Sequence, residues 1–540
     1  MTAIAGVDVG NATTEVVIVA DGAILGAGRA PTRGRKGSPD SLRGAAALVR
    51  RVARQAGAVV DEARIAPLRP VETSVRTVPD VAPLTGRLFV LGAGVATPGG
   101  VGACVGVPLL LGNPARTSDH PGPVIVVVPP QTRYDQAAAG IRELLAAGTR
   151  VGAVLVASDE AVLVANRLPT TIGRVPVIDQ VDAAAAASCT LLAVEVRPPG
   201  HPLTTLADPM ALGAALGLGE GDLGDAAAIG RSLLDYTNAV VGLTPAARPA
   251  PQPAPDPWPP PDADLDDVFT VDLAAAAESA TARRGSLGRA FVIAALHRPP
   301  PDAGSAATEL ASLLGIPVTS PLSEPTAARL GAATTPGMLP GALVADIGSG
   351  TIDAIAADGR EAVVAGAGEL LTVAVAEALG VPRAAADWIK RGPCVRLDGG
   401  QRYEAEDGGR GFLDVPAPAP GAGMLAVPGP GGLLPFAGRS GRQHTPSEWR
   451  AIRLRLKQAV LAASLQRALT SLGEPGRGLA RGGPVQLLLV GGPAADNELV
   501  GVLTRSLPDT ITVGRGNLGA TRGGEALGHR YAVALGLAIA

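Results

Sequence analysis

The stretch from Ala342 to Ala354, ALVADIGSGTIDA, constrains the fold of this 540-residue chain more than any other. A run of apolar residues predicts a buried strand, which ends in an acid and a glycine turn. Glycines let backbone N–H groups approach phosphate oxygens, and carboxylates hold Mg²⁺ through water molecules. The stretch therefore predicts a phosphate-binding hairpin, built from Asp346, Gly348, Gly350, Thr351 and Asp353.

A second stretch of the same design lies at the N-terminus, IAGVDVGNATTEVVIV. It places an acid, a glycine and hydroxyl side chains in the same order, as Asp8, Gly10, Asn11, Thr13 and Thr14. Two such hairpins far apart in one chain suggest two related half-domains that close on one nucleotide.

Length and composition limit the class of protein. A chain of 540 residues is too long for one core, so we expect two to four domains. Hydrophobic residues make up 47% of the chain, yet no run reaches the roughly 18 to 20 apolar residues of a membrane span. The start, MTAIAGVDVG, lacks the basic region and cleavage site of a signal peptide. We therefore expect a soluble α/β protein of the cytoplasm with no membrane partner.

Charge and cysteine content exclude other classes. The formal net charge is −3, so nothing draws the chain as a whole towards nucleic acid. Cys104, Cys189 and Cys394 are isolated, and the sequence has no CxxC or Cys/His cluster. An iron–sulfur cluster or a zinc site within the chain is therefore not expected.

The pattern along the chain predicts an interrupted domain. Residues 1–87 predict the first part of a nucleotide-binding lobe, and 88–244 predict an inserted α/β domain. Residues 245–264 have a proline at every second or third position and predict an extended linker. Residues 265–540 resume the first fold, with a long amphipathic helix at 446–472 and a final helix at 524–539. The Gly/Pro-rich residues 395–445 give no clear pattern.

The three motifs DVGNATTE, DIGSGTID and LLLVGGPAADNEL resemble, in order, those of the actin-like ATPase superfamily. The stretch LSEPTAARLGA before the second hairpin also resembles the heat-shock chaperones of that superfamily. The resemblance implies an actin-like (ribonuclease H-like), two-lobed α/β ATPase with an inserted α/β swivelling domain. It implies ATP or ADP and Mg²⁺ as ligands.

Within the superfamily, nearly the whole chain resembles the large (alpha) subunit of diol and glycerol dehydratase reactivating factors. The strings that carry this resemblance include GVDVGNATTE, TPGG, VLVANRL followed by VPVID, AVEVRPPG, TTPG and GRGNLG. It implies a chaperone ATPase that pairs with a small (beta) subunit as a hetero-oligomer. It also implies an adenosylcobalamin-dependent dehydratase as client, whose damaged cobalamin is released by subunit exchange, and a possible association with a bacterial microcompartment.

The resemblance also implies roles for single residues. In the first loop Asn11, Ala12 and Thr13 would cradle phosphate, and Thr351 would touch it from the second. Asp8, Asp346 and Asp353 would support Mg²⁺. Glu324 is the candidate general base, and its alternative role is as a helix-cap partner after Ser323.

The adenosine side would be formed by two further stretches. In AADWIKRGP the resemblance points to Asp387, Trp388, Ile389 and Lys390, although Asp387 and Lys390 could equally be a surface ion pair. At the third motif Gly491, Gly492 and Pro493 would abut adenine or ribose. Arg530 matches a nucleotide arginine; otherwise it is an exposed arginine of the last helix.

A second Mg²⁺ site is implied in the inserted domain. Thr97, Asp159 and Asp179 match positions that bind Mg²⁺ at the small-subunit contact in relatives. Oxygen ligands suit a hard cation, and an incomplete set leaves room for a ligand from a partner. Each of these residues is otherwise a common turn former.

The alternative function is a small-molecule kinase of the actin-like fold. Such a kinase needs a substrate pocket with a catalytic aspartate between the hairpins, and the inserted domain shows no such signature. An electron-donating activator would need clustered cysteines, which the sequence lacks. A filament-forming actin relative is a further, non-catalytic alternative.

Overall fold

A computed structural model of the chain describes residues 2–68, 72–79, 86–94, 99–112, 122–169, 175–245, 265–280, 287, 290–297, 305–398, 400–417, 421, 423–437, 444–473 and 485–540. The predicted linker at 245–264 falls outside these ranges except for residue 245, and so does Thr97. No helix in the described ranges is long and apolar enough to cross a membrane.

The first lobe is built on a five-stranded sheet. Its strands lie in the order β15–β4–β1–β2–β3, with β1, β2 and β3 antiparallel and β4 and β15 parallel to β1. The strands are β1 (Ala3–Val9), β2 (Thr13–Ala20), β3 (Ala23–Pro31), β4 (Glu62–Ile65) and β15 (Val318–Thr319). One face is covered by α1 (Pro39–Ala56) and α8 (Ser305–Leu314), because their apolar sides supply the core residues that the strands need.

The second lobe repeats this topology. Its sheet has the order β18–β17–β16–β24–β25, again with three antiparallel strands followed by two parallel ones. The strands are β16 (Leu343–Ile347), β17 (Thr351–Ile355), β18 (Glu361–Ala365), β24 (Val485–Val490) and β25 (Ile511–Arg515). The helices of this lobe are α7 (Leu273–Glu278), α10 (Gly368–Leu379), α11 (Arg383–Ile389), α12 (Pro446–Lys457), α13 (Ala463–Ser471) and α14 (Asn497–Ser506). The two halves inferred from the hairpins are thus related in topology.

Two helices join the lobes. The helix α9 (Glu324–Ala332) packs on β16 and β17, and α15 (Ala532–Ile539) packs on β1 and β2. The two helices touch through small residues: a Cβ atom on Gly536 would lie 1.8 Å from Ala327 O, and one on Gly331 would lie 1.9 Å from Ala532 O. Because α9 begins at Glu324, this crossing also sets where that carboxylate stands.

The inserted domain is a mixed seven-stranded sheet of order β10–β9–β8–β7–β11–β12–β6. Its strands are β6 (Leu88–Gly94), β7 (Gly102–Leu110), β8 (Val124–Val128), β9 (Val151–Val156), β10 (Val177–Ile178), β11 (Leu191–Val196) and β12 (Asn238–Leu243). Its helices are α2 (Tyr134–Ala146), α3 (Ala161–Ala165), α4 (Ala183–Ala187), α5 (Pro209–Leu216) and α6 (Leu223–Ser232), with a 3₁₀ turn at Glu220–Asp222. The chain enters and leaves this domain through a separate three-stranded sheet of β5 (Glu72–Pro79), β14 (Ala290–His297) and β13 (Leu265–Asp272).

Residues 395–436, which gave no sequence pattern, form a five-stranded antiparallel sheet of order β21–β20–β19–β22–β23. The strands are short: β19 (Val395–Asp398), β20 (Arg402–Ala405), β21 (Arg410–Phe412), β22 (Leu425–Gly429) and β23 (Gly432–Phe436). The final helix is shorter than predicted, because residues 518–528 form the hairpin of β26 (Leu518–Ala520) and β27 (Ala526–Gly528). The long helix at 446–472 is confirmed, and it contains one π turn at Gln458–Ala462.

Candidate functional site

The two predicted hairpins have the same geometry. Asp8 pairs across the sheet with Glu15, and Asp346 pairs with Asp353. In each turn the glycine two residues after the acid donates its N–H to a threonine carbonyl at 2.9 Å: Gly10 to Thr13, and Gly348 to Thr351. Equivalent strands therefore deliver the same pair of acids and the same turn from each lobe.

Both turns are held by neighbouring backbone and hydroxyl groups. In the first, Thr32 donates its hydroxyl to Gly10 O at 2.8 Å and its N–H to Ala12 O at 3.0 Å. In the second, Glu369 at the start of α10 donates its N–H to Ser349 O at 2.7 Å. The turn N–H groups are consequently fixed before any ligand arrives.

The two hairpins face one cavity of about 790 Å³ between the lobes. Most of the predicted nucleotide residues line it. From the first lobe, the joining helix and the second hairpin these are Asp8, Gly10, Asn11, Ala12, Thr13, Glu324, Asp346, Gly348, Gly350, Thr351 and Asp353. From the predicted adenosine side they are Asp387, Lys390, Gly491, Gly492, Pro493 and Arg530.

Trp388 and Ile389 are not part of the cavity wall. Ile389 is fully buried in the core of the second lobe, and Trp388 packs against that core with the Arg391 guanidinium 4.5 Å from its ring centre. Asp387 and Lys390, by contrast, both line the cavity. Trp388 and Ile389 therefore pack behind the cavity wall. The sequence predicted them among the residues that contact the nucleotide.

Lys36 is a site residue that the sequence did not single out. Its Nζ lies 2.6 Å from Glu324 Oε2, and only 9% of its side chain is exposed. Burial alone would lower the pKa of Lys36, but Glu324 and Asp8 raise it, so the amine stays charged. The helix cap after β15 is provided by Ser323, whose Oγ accepts from Thr326 N at 3.3 Å. Glu324 is free of the capping role that was its alternative, and it turns towards Lys36.

The cavity floor carries an excess of buried negative charge. The carboxylates that supply it all line the cavity: Asp8, Glu15, Glu324, Asp346 and Asp353. The buried amine of Lys36 lies near them and is stabilised in its charged form by Glu324 and Asp8. Burial and then the Glu324 charge raise the pKa of Asp346 to about 7. The same causes raise the pKa values of Asp8 and Asp353 well above the ordinary range. Such an arrangement favours a further cation between the carboxylates.

The residues fit Mg²⁺ held through water. Asp353 Oδ1 is buried and has no hydrogen-bond partner among the described residues. A carboxylate oxygen in that state needs a water molecule or a cation. Among the residues that the structure describes, no three His, Cys, Asp or Glu side chains converge closely enough to bind a metal directly. Support of Mg²⁺ through water molecules stays a prediction from the sequence.

The third motif brings backbone against the acids. Gly491 has φ +88°, and a Cβ atom there would lie 2.3 Å from Asp346 Oδ1, so only glycine fits. Arg530 lies two residues before α15 and is half-buried on the cavity, with no ion pair among the described residues. Burial and the nearby Arg29 lower the pKa of Arg530. Two guanidinium groups near each other favour an anionic ligand.

Asp387 and Lys390 form an ion pair and also line the cavity. Lys390 Nζ lies 2.7 Å from Asp387 Oδ1 and donates to Thr372 Oγ1 at 2.7 Å and to Gly368 O at 3.1 Å. Arg391 contacts Asp387 Oδ2 at 2.5 Å. The sequence left open whether these residues contact the nucleotide or form an ion pair. The two roles are compatible, because the ion pair itself forms part of the cavity wall.

Comparison with known proteins places this site in a family. The model of the diol dehydratase reactivase ATPase-like domain matches residues 257–540, and that of the DD-reactivating factor swiveling domain matches 89–248. The chain belongs to the diol dehydratase reactivase family.

Individual relatives agree along almost the whole length. The chain is 28% identical to the propanediol dehydratase-reactivating factor large subunit of Citrobacter freundii, over 99% of this chain and 98% of that protein. It is 27% identical to the diol dehydratase-reactivating factor large subunit of Klebsiella michiganensis, with the same coverage. Its structure superposes on nucleotide-free diol dehydratase-reactivating factor with a TM-score of 0.59, at 26% identity and with 100% and 99% of the two chains covered.

The fold expected from the resemblance is therefore confirmed. The chain has an actin-like α/β fold with two related lobes, an ATPase-like domain and an inserted swivelling domain. A glycerol dehydratase reactivase structure shares this fold, with a TM-score of 0.60 at 24% identity and 99% of each chain covered.

In the swivelling domain the structure brings Asp159 and Asp179 together. Burial, and then the charge of Asp159 and a hydrogen bond to it, raise the pKa of Asp179 to about 7. Asp159 follows β9 and is exposed, whereas Asp179 follows β10. A loop of the ATPase-like region reaches this pair, because a Cβ atom on Gly423 would lie 2.9 Å from Asp159 Oδ2. Thr97, the third predicted ligand, lies outside the described residues.

Proposed function

We propose that the chain binds Mg·ATP in the cavity between its lobes and hydrolyses it. The observation that carries this proposal is the pair of equivalent hairpins, Asp8–Thr13 and Asp346–Thr351, on one cavity. The turn N–H groups and hydroxyls would hold the phosphates. Mg²⁺, when bound through water to the acids, would neutralise phosphate charge during transfer to water.

Glu324 and Lys36 are the proposed reaction residues. Glu324 would accept a proton from, or orient, the attacking water, because its carboxylate stands at the start of α9 on the cavity wall. Lys36, 2.6 Å away, would fix the direction of that carboxylate. The nucleoside and its inner phosphates would be enclosed by the residues of the predicted adenosine side, Asp387, Lys390, Gly491, Gly492, Pro493 and Arg530.

The cellular role we propose is reactivation of an adenosylcobalamin-dependent diol or glycerol dehydratase. Hydrolysis would switch a hetero-oligomer of this chain and a small subunit, so that subunit exchange opens the dehydratase and releases damaged cobalamin. The relatives' names, which call each of them a large subunit of a dehydratase-reactivating factor, support this role. The cytoplasmic location and any association with a microcompartment remain predictions from the sequence.

The small subunit would dock on the swivelling domain at the acid pair. Asp159 and Asp179 would offer carboxylates to a Mg²⁺ that the partner completes. Two large apolar side chains of α3 stand exposed beside Asp159, namely Val162, 50% exposed, and Leu163, 41% exposed. Exposed apolar surface next to charged groups is typical of an interface.

The small-molecule kinase alternative has less support. The relatives matched over 99% of the chain are reactivating-factor subunits. The swivelling-domain model also accounts for residues 89–248, where a kinase substrate domain would have to lie.

One experiment separates these functions. A dehydratase inactivated with cyanocobalamin is incubated with this protein, its small subunit, ATP, Mg²⁺ and fresh cofactor. The reactivase proposal expects recovery of dehydratase activity that requires ATP. Recovery without ATP, or none with all components, would contradict it.

A further inference from the structure

Arg453 of α12 is a fully buried guanidinium that lies outside the cavity yet connects two of its walls. It makes two hydrogen bonds to Glu498, Nε to Oε2 at 2.9 Å and Nη2 to Oε1 at 2.5 Å. It makes two more to Glu406, Nη1 to Oε1 at 2.7 Å and Nη2 to Oε2 at 3.1 Å. Both carboxylates are thus held in bidentate fashion by one side chain.

Glu498 belongs to the wall that follows the third motif. It is the second residue of α14, just beyond Gly491–Pro493, and it lines the cavity together with Asp496. Lys457, also fully buried, contacts Glu498 Oε2 at 2.7 Å and Asp496 Oδ2 at 2.5 Å. Arg453 and Lys457 therefore fix both acids of this wall from behind.

Glu406 bonds to the backbone next to the second wall, which contains residues 387–393. Its Oε1 accepts from Cys394 N at 2.6 Å, directly after the cavity residues Arg391, Gly392 and Pro393. Gly392 lies flat on the Arg453 guanidinium, since a Cβ atom there would be 2.5 Å from Cζ. Neither Arg453 nor Glu406 lines the cavity itself.

The helix that carries Arg453 is interrupted by a π turn close to the cavity. Its regular turns end at Lys457 and a π turn, Gln458–Ala462, follows. The inserted residue of a π turn rotates the side chains after it, and such turns are frequent at functional sites. Here Leu461 of the π turn reaches the cavity wall. One helix thus supplies the wall residue Leu461 and, about two turns earlier, Arg453, which links the two flanking walls.

We propose that Arg453 is a positioning residue that sets the separation of the nucleoside-binding walls, 387–393 and 491–498. This inference rests on the proposed function, because it assumes that a nucleotide occupies the cavity. Arginine is required, because its planar fork has enough donors for two bidentate pairs, whereas lysine offers a single ammonium group. Loss of Arg453 leaves Glu406 and Glu498 facing each other without their shared cation, so the walls move apart.

The test compares a ligand that uses both walls with one that uses only the hairpins. Binding of ADP and of inorganic tripolyphosphate, each with Mg²⁺, is measured by calorimetry on the full chain. The variants are Arg453→Met, Arg453→Lys and Glu406→Gln, and the matched control is Arg450→Ala. Arg450 is 56% exposed and approaches Glu406 Oε2 only to 3.5 Å.

We expect Arg453→Met to weaken ADP binding at least about tenfold. Arg453→Lys and Glu406→Gln should weaken it less, and tripolyphosphate binding should stay within about twofold of wild type in all three. Arg450→Ala should bind both ligands as the wild type does. If Arg453→Met does not fold, the ADP affinity of Glu406→Gln tests the proposal by itself. That variant retains the Arg453 guanidinium, and position 406 lies outside the cavity.

Two results would overturn the inference: unchanged ADP affinity in the folded variants, or equal losses for ADP and tripolyphosphate. Either would make Arg453 a general structural residue. A wild type that binds neither ligand would instead contradict the proposed function, so the two failures are distinguishable.

Discussion

Lys36 Nζ lies 2.6 Å from Glu324 Oε2, although the two residues are 288 positions apart in the chain. Lys36 stands in the loop between β3 and α1, and Glu324 is the first residue of α9. The pair therefore joins the first lobe to the helix that crosses between the lobes. We therefore expect a change in the separation of the lobes to alter the position of the Glu324 carboxylate through this contact.

The first prediction concerns this pair. Glu324→Gln should keep nucleotide affinity and lose hydrolysis by roughly two to four decades, the range for a general base. Lys36→Met should lose hydrolysis as well, because the carboxylate is no longer directed. Steady-state hydrolysis and nucleotide binding are measured on both variants and on their combination.

The double variant tests whether Lys36 acts through Glu324. If the residues act as one unit, Lys36→Met adds little once Glu324 is already Gln. Fully additive losses would mean that the two residues act independently. Normal hydrolysis in Glu324→Gln would remove it from the chemistry.

The second prediction concerns the hairpin acids. Asp8→Ala and Asp346→Ala should each abolish Mg·ATP hydrolysis, because each removes support for the metal. The fold should persist, since burial already disfavours the charged forms of both carboxyls. Hydrolysis and thermal unfolding are measured beside the exposed Asp509→Ala as control. Undiminished turnover in both variants would rule out the assignment of the two hairpins.

Both hairpins could be predicted from the sequence because their signals are local. An acid at a strand end, a glycine two residues later and a hydroxyl within the turn lie within a few positions of each other. The Lys36 contact could not be predicted in this way. Its loop has no regular period, and the partner arrives from far along the chain only after both lobes have formed.

Short elements explain other differences. The apolar run of residues 162–168, VLVANRL, predicts a strand of the inserted domain, but residues 161–165 form α3. A short apolar run fits either structure, and here Ala161 and Val164 are buried in the same core cluster as Val177 of β10, whereas Val162 and Leu163 are exposed. The pattern of residues 222–240 predicts one helical segment, but α6 ends at Ser232 and Asn238–Leu243 form β12, which lies next to the edge strand β6. The small sheet at 395–436 could not be predicted, because its strands are only three to five residues long and the stretch as a whole is rich in glycine and proline.

The third prediction tests the crossing of α9 and α15. Gly536→Ala should destabilise the protein by about 1 to 3 kcal/mol or more, because its methyl group would overlap the Ala327 carbonyl of the facing helix. Gly331→Ala should do the same against Ala532 O. Denaturant unfolding is followed for both and for Gly341→Ala, whose Cβ would meet nothing within 4 Å. Equal stability of all three variants would contradict the tight crossing.

The fourth prediction concerns the swivelling domain. Asp159→Ala combined with Asp179→Ala should weaken small-subunit binding while sparing ATP hydrolysis, because the acid pair lies in a different domain from the cavity. EDTA should loosen the wild-type complex and hardly affect that of the double variant. Calorimetric titration with the small subunit is the measurement. Unchanged affinity in the double variant would reduce the two acids to turn residues.

The last prediction is a pH dependence of stability that arises from His529. Burial and then the charges of Arg530 and Arg515 lower the pKa of His529 to about 4, from an ordinary value of 6.5. Between these values the unfolded chain takes up a proton on this residue and the folded chain does not. The unfolding free energy should therefore fall as the pH decreases from about 6.5 towards 4.

Replacing the imidazole isolates this contribution. In His529→Phe the ring still fills its place, and the backbone carbonyl that accepts from Gly491 N at 2.9 Å is retained. The variant should lose less stability than the wild type over the same pH range, whereas the exposed control His201→Phe should follow the wild type. Denaturant titrations at pH 7, 6 and 5 give the comparison. Parallel curves for wild type and His529→Phe would show that the folded-state pKa of His529 is not lowered, and would place the acid sensitivity of the protein elsewhere.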